Sequence, residues 1–338
     1  MAWSSGSLSK IDKIIEAWKC GEEKRYSGYN VFAEGQAIYS YGYHFPMVVK
    51  NPSGLVVGNG DRYSVTTSNH QSHVRHLVDV LVPFSGLETL GIDPFKDSIE
   101  CIHRESDGYR TMIGMRKNDE GEMEEYEYEQ HFLGGSVLRV SQQVMVEPES
   151  EYGAGDGKYK NVVTYYVAAW DETGTGWQGS FFMSEMPSGK IPRTVDEALH
   201  FLKPQEVISW ERFNDGKVLR QGEWFFVPAE LPDACADAEK VEVFDKWVAP
   251  DPEKRWDKIQ SYKKIYLLPL EDGGTGHHQV TYMKLSPTGT MYVSGTVRHT
   301  EGQHKMLRLD TSGKASKQWF IPYRNTAVRS VSMGGDVD

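Results

Sequence analysis

The chain has 338 residues and a formal net charge of −11, and together these values exclude several kinds of protein. The length suffices for two domains of ordinary size, and a hydrophobic fraction of 39% predicts a folded chain rather than a disordered one. The acidic balance argues against a surface coated with phosphate-binding cations. The longest apolar runs fall well short of the roughly 20 residues that a bilayer-spanning helix needs, so we expect no membrane partner.

Cysteine use and the first residues indicate a compartment. The three cysteines, Cys20, Cys101 and Cys235, lie far apart in the sequence. An odd and sparse set of this kind is not typical of a disulfide framework or a thiolate zinc site, and it fits a reducing compartment. Residues 1–18 lack the charged region and apolar core of a signal peptide. The sequence therefore predicts a cytoplasmic protein.

The first part of the chain predicts two helices around a strand. A capping-box pattern over Ser9–Asp12 begins a helix that ends at Gly21. Aromatic and β-branched residues predict a strand over Ile38–Val49, which ends at the turn Asn51–Gly54. Hydroxyl side chains at the start of residues 66–82 predict an N-cap and a second helix over that range.

From residue 111 onward the pattern is nearly all β, since short runs of β-branched and aromatic residues alternate with turn residues. Helices are expected only over Thr194–Leu202 and in a short piece that begins at Asp251. The predicted strands are Thr111–Lys117, Tyr126–Phe132, Val137–Val146, Val162–Trp170, Trp177–Met183, Glu206–Phe213, Val218–Val227, Ile265–Leu270, His278–Leu285, Met291–His299, His304–Leu309 and Gln318–Tyr323.

This order predicts an α+β fold that is mostly antiparallel β-sheet, with hairpins, a C-terminal meander and a few short helices. The segment MPSGKIP, residues 186–192, is typical of a linker. It would separate an N-terminal α+β domain, residues 1–187, from a C-terminal β-rich domain, residues 193–338. No Walker A loop, GxGxxG, HExxH or GxSxG motif is present, which removes the commonest nucleotide-binding and hydrolase hypotheses.

One polar segment of the N-terminal domain has the groups that acid–base chemistry needs. It contains His44, Asp61, Arg62, Tyr63 and His70. The expected helix start offers unpaired N–H groups that suit a phosphate, and Arg62 could grip the same anion with two hydrogen bonds. His44 and His70 would act as general base and general acid, with Tyr63 orienting the substrate. These five residues are the predicted catalytic set for metal-independent phosphodiester cleavage.

A structural interpretation of the same residues is simpler. His70 lies on the apolar face of the expected helix, where a buried histidine bonded to a backbone carbonyl is common. His44 lies among aromatic residues of the expected strand and could be buried in the same way. Asp61 and Arg62 could form a salt bridge within a turn.

A second candidate site lies in the C-terminal meander. His299 and His304 flank the turn Thr300–Gln303, so a regular hairpin would place their Cβ atoms about 5 Å apart. His278, or the adjacent His277, could supply a third nitrogen, and three imidazoles suit a divalent metal ion. A register slip of one residue would place the first two rings on opposite faces of the sheet. The predicted metal ligands are His278, His299 and His304.

Four segments resemble patterns in uncharacterised proteins encoded by phages, plasmids and other mobile elements. The segments are SYGYHFPM at 40–47, NGDRYSVTTSNHQ at 59–71, RQGEWFFVP at 220–228 and GTVRH at 295–299. The resemblance spans most of the chain. It implies an intracellular role near nucleic acid, but it assigns no role to any residue because that family has no established activity.

Three functional hypotheses follow. The first is an intracellular protein that associates with nucleic acid and acts as a phosphodiesterase or nuclease through the His/Arg/Tyr set. The second is a non-catalytic structural or interaction protein of a mobile element. The third is a metal-dependent enzyme that uses the histidines of the meander.

Overall fold

The computed structural model describes residues 9–61, 64–117, 123–132, 134–147, 158–171, 181–216, 218–245, 261–269, 275–300, 304–309, 318–332 and 335–336. These residues form antiparallel sheets with a few short helices, which confirms the predicted α+β fold class. None of the helices within these ranges is long and apolar enough to cross a bilayer.

The helices are short and few. In chain order they are α1 (Lys10–Lys19), α2 (Val65–Val74), α3 (Phe84–Leu87), α4 (Val195–Phe201) and α5 (Gln205–Asn214), with a 3₁₀ helix over Arg75–Leu77.

The strands carry most of the structure. They are β1 (Lys24–Arg25), β2 (Val31–Glu34), β3 (Ala37–Ser40), β4 (Pro46–Lys50), β5 (Val56–Asn59), β6 (Val80–Val82), β7 (Ser98–Arg104), β8 (Gly108–Lys117), β9 (Met123–Phe132), β10 (Ser136–Glu147), β11 (Lys158–Trp170), β12 (Phe181–Glu185), β13 (Leu219–Gln221), β14 (Trp224–Ala229), β15 (Ala236–Asp237), β16 (Val241–Asp245), β17 (Ser261–Pro269), β18 (Thr275–Leu285), β19 (Met291–His299), β20 (Leu307–Arg308), β21 (Trp319–Arg324), β22 (Ser330–Ser332) and β23 (Gly335–Asp336).

The chain divides into two compact units. The first comprises Met1–Trp170, Phe181–Leu202 and Ala327–Val337, and the second comprises Asp171–Ser180 and Lys203–Thr326 together with the last residue. The segment 186–192 lies inside the first unit, where Met186 donates its backbone N–H to the carbonyl of Tyr165. Helix α4 follows it and packs through Val195 and Ala198 on the second sheet of that unit. The division between the units therefore falls after Leu202, and the proposed independence of two domains stays a prediction.

The first unit contains two six-stranded sheets, in the orders β1-β2-β3-β4-β5-β6 and β23-β22-β12-β11-β10-β7, and a separate β8–β9 hairpin. Helix α1 begins with the predicted capping box of Ser9 and Asp12, and buries Ile11, Ile14 and Ile15 against the first sheet. One hydrophobic cluster joins the two sheets: Val57, Val80, Val82, Leu87, Leu90, Ile92, Ile99, Leu138, Val140, Tyr166, Ala168, Phe181, Met183 and Val331. Each large side chain buried in such a cluster contributes about 1.5–3 kcal/mol, so this contact organises the unit.

The second unit is built on one sheet, with strand order β13-β14-β21-β19-β18-β17-β16. Strands β15 and β20 pair with β18 and β19. Its core contains Phe226, Leu268, Val293 and Phe320. Helix α5 packs against this sheet through Val207 and Trp210.

Four predicted elements were wrong in part. The predicted strand Val218–Val227 is two strands, β13 and β14, joined by a turn at Gly222 and Glu223. The predicted strand Glu206–Phe213 is helix α5, because Val207 and Trp210 recur at helical spacing on one packed face and Pro204 precedes the first turn. The predicted helix over residues 66–82 ends at the 3₁₀ helix, and Val80–Val82 pairs in parallel with β5. The predicted strand Ile38–Val49 is two strands, β3 and β4, joined by a turn.

Other predicted elements have the expected identity. The hairpin β8–β9 pairs Gly108 with Phe132 and Lys117 with Met123, as the turn between the two runs predicted. The meander strands β17, β18, β19 and β21 also form. The helical piece predicted from Asp251 and the first residues of the strand predicted at Trp177–Met183 lie outside the described residues.

Candidate metal centre

The register of the β18–β19 ladder brings two of the predicted metal ligands together. His278 on β18 is directly opposite His299 on β19, and the two ring centroids are 4.9 Å apart. The prediction had placed His299 opposite His304 across a hairpin, but it is β18 that supplies the cross-strand partner. His304 lies just before β20 and reaches the same place, with its ring 5.5 Å from His278 and 5.2 Å from His299.

The three imidazoles form a compact buried cluster, which we call the histidine centre. One ligand nitrogen from each ring lies within 4.8 Å of the others. His278 is 0% exposed and His299 is 8% exposed, and the side chain of His304 is 7% exposed. Tetrahedral Zn²⁺ with nitrogen ligands at about 2.0–2.1 Å requires ligand spacings of about 3.4 Å, so the rings would close by no more than about 1.4 Å. Side-chain rotations of this size fit a metal site.

Burial keeps two of these rings, His278 and His299, neutral. It lowers the pKa of His278 to about 2 and that of His299 to about 4, and the neighbouring histidines act in the same direction. Both imidazoles are therefore unprotonated at neutral pH. A neutral imidazole offers the lone pair that a metal ligand needs.

His278 also carries polar atoms that the described part of the chain leaves unsatisfied. Neither of its ring nitrogens has a hydrogen-bond partner there, and the same holds for Gln221 Oε1 and for Trp224 Nε1, whose ring centroid lies 6.5 Å from that of His278. Buried polar groups nearly always have partners, and leaving one without costs about 1–3 kcal/mol. Orphaned nitrogens inside a triad of imidazoles fit a bound cation.

Two buried carboxylates flank the histidine centre. Glu223 Oε1 lies 3.6 Å from His278 Nδ1, and Asp171 Oδ2 lies 3.6 Å from His304 Nδ1. Arg220 donates from Nη2 to Asp171 Oδ1 at 2.7 Å, so the charge of Asp171 is balanced by a guanidinium. Carboxylates next to ligating histidines commonly orient the ring or join the coordination sphere. Asp171 is placed to orient His304, and Glu223 to orient His278.

The turn between β13 and β14 positions Glu223. Gln221 pairs with Trp224, which leaves Gly222 and Glu223 as the turn residues. Gly222 has φ +57°, and a Cβ atom there would lie 2.6 Å from His304 Nε2, so only glycine fits. Gln221 donates from Nε2 to the carbonyls of Val297 and Lys305, which fixes the turn to the histidine-bearing segments.

Sequence reasoning missed Glu223 and Asp171. A glutamate directly before the apolar run WFFV is a usable signal, because a charged residue beside a core strand is rarely buried without a partner. Asp171 gave no such signal, since its approach to His304 depends on tertiary contacts. His277, which was an alternative ligand, stacks on His299 with ring centroids 5.6 Å apart and lies outside the triad.

The predicted catalytic set of the first unit is placed differently from expectation. A hydrogen bond of 2.9 Å joins His70 Nδ1 to Ser40 Oγ, and both residues are buried. His44 is exposed in the turn between β3 and β4 and was wrongly assigned to a strand. No hydrogen bond or ring contact joins His44 with His70 among the described residues. Arg62 and Tyr63 lie outside those residues.

Asp61 has a structural role in the first unit. Its carboxylate accepts hydrogen bonds from the backbone N–H and the hydroxyl of Ser85, at 2.5 and 3.0 Å, in the first turn of α3. Burial lowers the pKa of His70, with a smaller effect from His73, so the ring is neutral like that of a core histidine. Phosphodiester cleavage by His44, Asp61, Arg62, Tyr63 and His70 stays a prediction.

Comparisons with known proteins assign no family. No protein-family model, curated protein or solved structure matches the chain. The resemblance to proteins of mobile elements and the nucleic-acid partner that it implies therefore stay predictions.

Proposed function

We propose that this protein is a metal-dependent enzyme whose catalytic centre binds a divalent transition-metal ion through His278, His299 and His304. The observation that supports the proposal is the buried cluster itself, with one nitrogen from each ring within 4.8 Å of the others. A purely structural cluster would leave the orphaned nitrogens of His278 unexplained. A bound cation would take one of them, and a carboxylate lies 3.6 Å from Nδ1.

The ligand set determines the class of metal. Imidazole nitrogens and a carboxylate oxygen suit Zn²⁺, Mn²⁺, Fe²⁺, Co²⁺ and Ni²⁺, whereas Mg²⁺ and Ca²⁺ prefer oxygen ligands. Three protein ligands are typical of catalytic sites, because they leave a coordination position for water or substrate. The ion would then act as a Lewis acid and lower the pKa of a bound water. Glu223, 3.6 Å from His278 Nδ1, would orient that ring or accept a proton from the water.

Metal content is the first test. The purified protein is stripped with EDTA, dialysed against Zn²⁺, Mn²⁺ or Co²⁺ in turn, and measured by elemental analysis. We expect about one ion per chain, and a visible absorption band from the Co²⁺ form, as ligation by three imidazoles in tetrahedral geometry predicts. His299→Gln and His304→Gln should lose the ion, while His277→Gln, the neighbouring ring outside the triad, should keep it.

The outcome that contradicts the proposal is specific. If the folded wild-type protein binds none of these ions, or if His299→Gln and His304→Gln bind as much as His277→Gln, the histidine centre is not a metal site. Circular dichroism of each variant establishes that loss of the ion is not loss of the fold.

Activity is tested with phosphodiesters, since the sequence predicts nucleic-acid chemistry. Cleavage of single-stranded DNA and RNA is measured with and without EDTA, for the wild type, His299→Gln and His44→Ala. Cleavage that needs metal and is lost in His299→Gln supports the histidine centre. Cleavage that is insensitive to EDTA and lost in His44→Ala would instead place the chemistry in the first unit.

A further inference from the structure

A groove opens in the second unit where strand β17 leaves β18. The ladder between these strands pairs Tyr266 with Val280. One residue earlier Ile265 pairs instead with Val241 of β16, and β18 has an irregularity between Val280 and Tyr282. The strands therefore separate at this point. The space between them has a volume of about 310 Å³, at the lower end of the roughly 300–1,000 Å³ usual for ligand pockets.

At this irregularity β19 has one extra residue, because Thr296 and Gly295 face the single Thr281 of β18, and the bulge depends on the glycine. Gly295 on β19 has φ +89°, and a Cβ atom there would lie 2.8 Å from the Cβ of Thr281. The close approach lets Thr296 donate its backbone N–H to Thr281 Oγ1 at 3.0 Å. Bulged strands of this kind often redirect side chains beside a binding site.

Within the part of the chain that the structure describes, the charges that line the groove are all positive. Lys240, Lys264 and Arg298 lie on it, and no carboxylate of these residues does. Among the described residues neither Lys240 nor Arg298 forms an ion pair, and Lys264 meets Glu242 only at 3.6 Å with both side chains well exposed. Exposed pairs of that kind contribute about 0–1 kcal/mol, so they hold the lysine weakly. A concentration of cations is unusual on a protein with a net charge of −11.

The remaining side chains of the groove supply hydrogen bonds and one ring. Gln279, Thr281 and Thr296 line it, together with Tyr266. Lys240 Nζ lies 5.1 Å from the centre of the Tyr266 ring, which holds the lysine over the aromatic face. Arg298 donates from Nε to Met306 Sδ, a weak acceptor, so the outer N–H groups of the guanidinium remain available to a ligand.

We propose that this groove binds a phosphate-bearing ligand of about the size of one nucleotide. Arginine binds phosphate with two parallel hydrogen bonds, and lysine supplies point charges. The glutamine amide suits the remaining phosphate and sugar oxygens, and the Thr281 and Thr296 hydroxyls, which bond each other at 2.8 Å, leave one O–H between them for the ligand. The proposal does not depend on the histidine centre, because it rests on different residues.

The test uses metal-free protein, since a bound divalent ion would itself attract phosphate. Binding of inorganic phosphate, adenosine monophosphate and a short single-stranded oligonucleotide is measured by titration calorimetry at low and moderate salt. We expect at least one of the nucleotide probes to bind more tightly than inorganic phosphate. Arg298→Gln combined with Lys264→Gln should weaken that binding at least tenfold.

A charge-matched control separates the groove from general electrostatics. Lys160→Gln combined with Lys284→Gln also removes two positive charges, but on β11 and on a part of β18 that does not line the groove. This double variant should change the affinity less than twofold. Binding of the mononucleotide identifies a small-molecule ligand, and binding of the oligonucleotide alone identifies a nucleic-acid strand. The proposal is overturned if no probe binds the wild type, or if both double variants lose affinity equally.

Discussion

Tyr41 is held in a backbone conformation that bulky side chains avoid. Its φ is +63°, and it stands at the start of the turn between β3 and β4. The left-handed region costs an L-residue roughly 1–2 kcal/mol, because Cβ approaches the carbonyl oxygen. The ring is 51% exposed, so little burial offsets this strain.

We expect Tyr41→Gly to be more stable than Tyr41→Ala by about 1 kcal/mol, which reverses the usual order of these two residues. Both variants lack the tyrosine ring, so the difference between their free energies of unfolding reports the backbone conformation alone. The free energy of unfolding is measured by denaturant titration. Val65, 90% exposed in α2, provides the control pair, where alanine should be the more stable. Equal stability of the two Tyr41 variants would show that the turn relaxes and holds no strain.

His70 gives the first unit a defined pH dependence. Burial lowers its pKa in the folded state, whereas a histidine in the unfolded chain titrates near about 6.5. Below that pH the unfolded chain takes up a proton that the folded protein does not, so the free energy of unfolding decreases toward acid. Above that pH the contribution of His70 to stability is fully present.

His70→Asn should therefore lose less stability than the wild type when the pH falls from about 7.5 to about 5. At the higher pH the variant should be less stable, because the hydrogen bond with Ser40 is altered. Chemical denaturation at both pH values gives the difference, and His200→Asn, on the exposed part of α4, is the comparison. The interpretation fails if His70→Asn retains the full pH dependence.

The start of helix α2 shows how a local pattern can be correct in kind and displaced in position. The sequence predicts a cap among the hydroxyl residues from Thr66 to Ser68, but the N-cap is Ser64, whose Oγ accepts the backbone N–H of Thr67 at 3.1 Å. Thr67 is buried and its hydroxyl contacts Ser64 Oγ at 3.0 Å. Burial of Thr67 thus selects which hydroxyl becomes the cap.

We expect Ser64→Ala to lower the free energy of unfolding by about 1 kcal/mol, the usual value of an N-cap. Thr66→Ala, an exposed neighbour in the first turn, should change it by less than about 0.5 kcal/mol. Both values come from denaturant titrations at neutral pH. Equal effects of the two substitutions would show that the cap is not specific to Ser64.

Local signals account for what the sequence could predict of the elements. The capping box of α1, the N-cap Thr194 of α4 and the β8–β9 hairpin all depend on residues close in sequence. Helix α5 was missed because the spacing of its apolar residues is compatible with either a strand or a helix. The surface against which they pack decides between the two, and the sequence does not show that surface. Strand β6 was missed because its partner β5 lies beyond an intervening helix.

The histidine centre was partly predictable for the same reason. The three ring-bearing residues lie on segments that a meander brings together, so their proximity followed from the strand pattern. Which rings pair depends on register, and His278 rather than His304 turned out to oppose His299. The flanking carboxylates come from other elements, the β13–β14 turn and the residue after β11, and no local pattern connects them to the meander.

The two compact units allow the metal proposal to be tested on the whole chain. All residues of the histidine centre belong to the second unit. An ion that binds only the folded state stabilises it by about 2.7 kcal/mol at a free concentration 100 times Kd. Hydrogen exchange measured by mass spectrometry reports this gain for each unit separately. The most protected amides of a unit exchange only when the whole unit unfolds, so their exchange rates follow its free energy of unfolding.

On addition of Zn²⁺ we expect slower exchange in β18 and β19, and unchanged exchange in β10 and β11 of the first unit. His277→Gln should show the same gain as the wild type, and His299→Gln should show none, since it lacks a ligand while keeping the sheet. Equal slowing in both units would show that they unfold as one body and that the predicted two-domain organisation is wrong. No slowing in β18 and β19 of the wild type would mean that the ion does not bind the folded second unit, and the metal proposal would then be rejected.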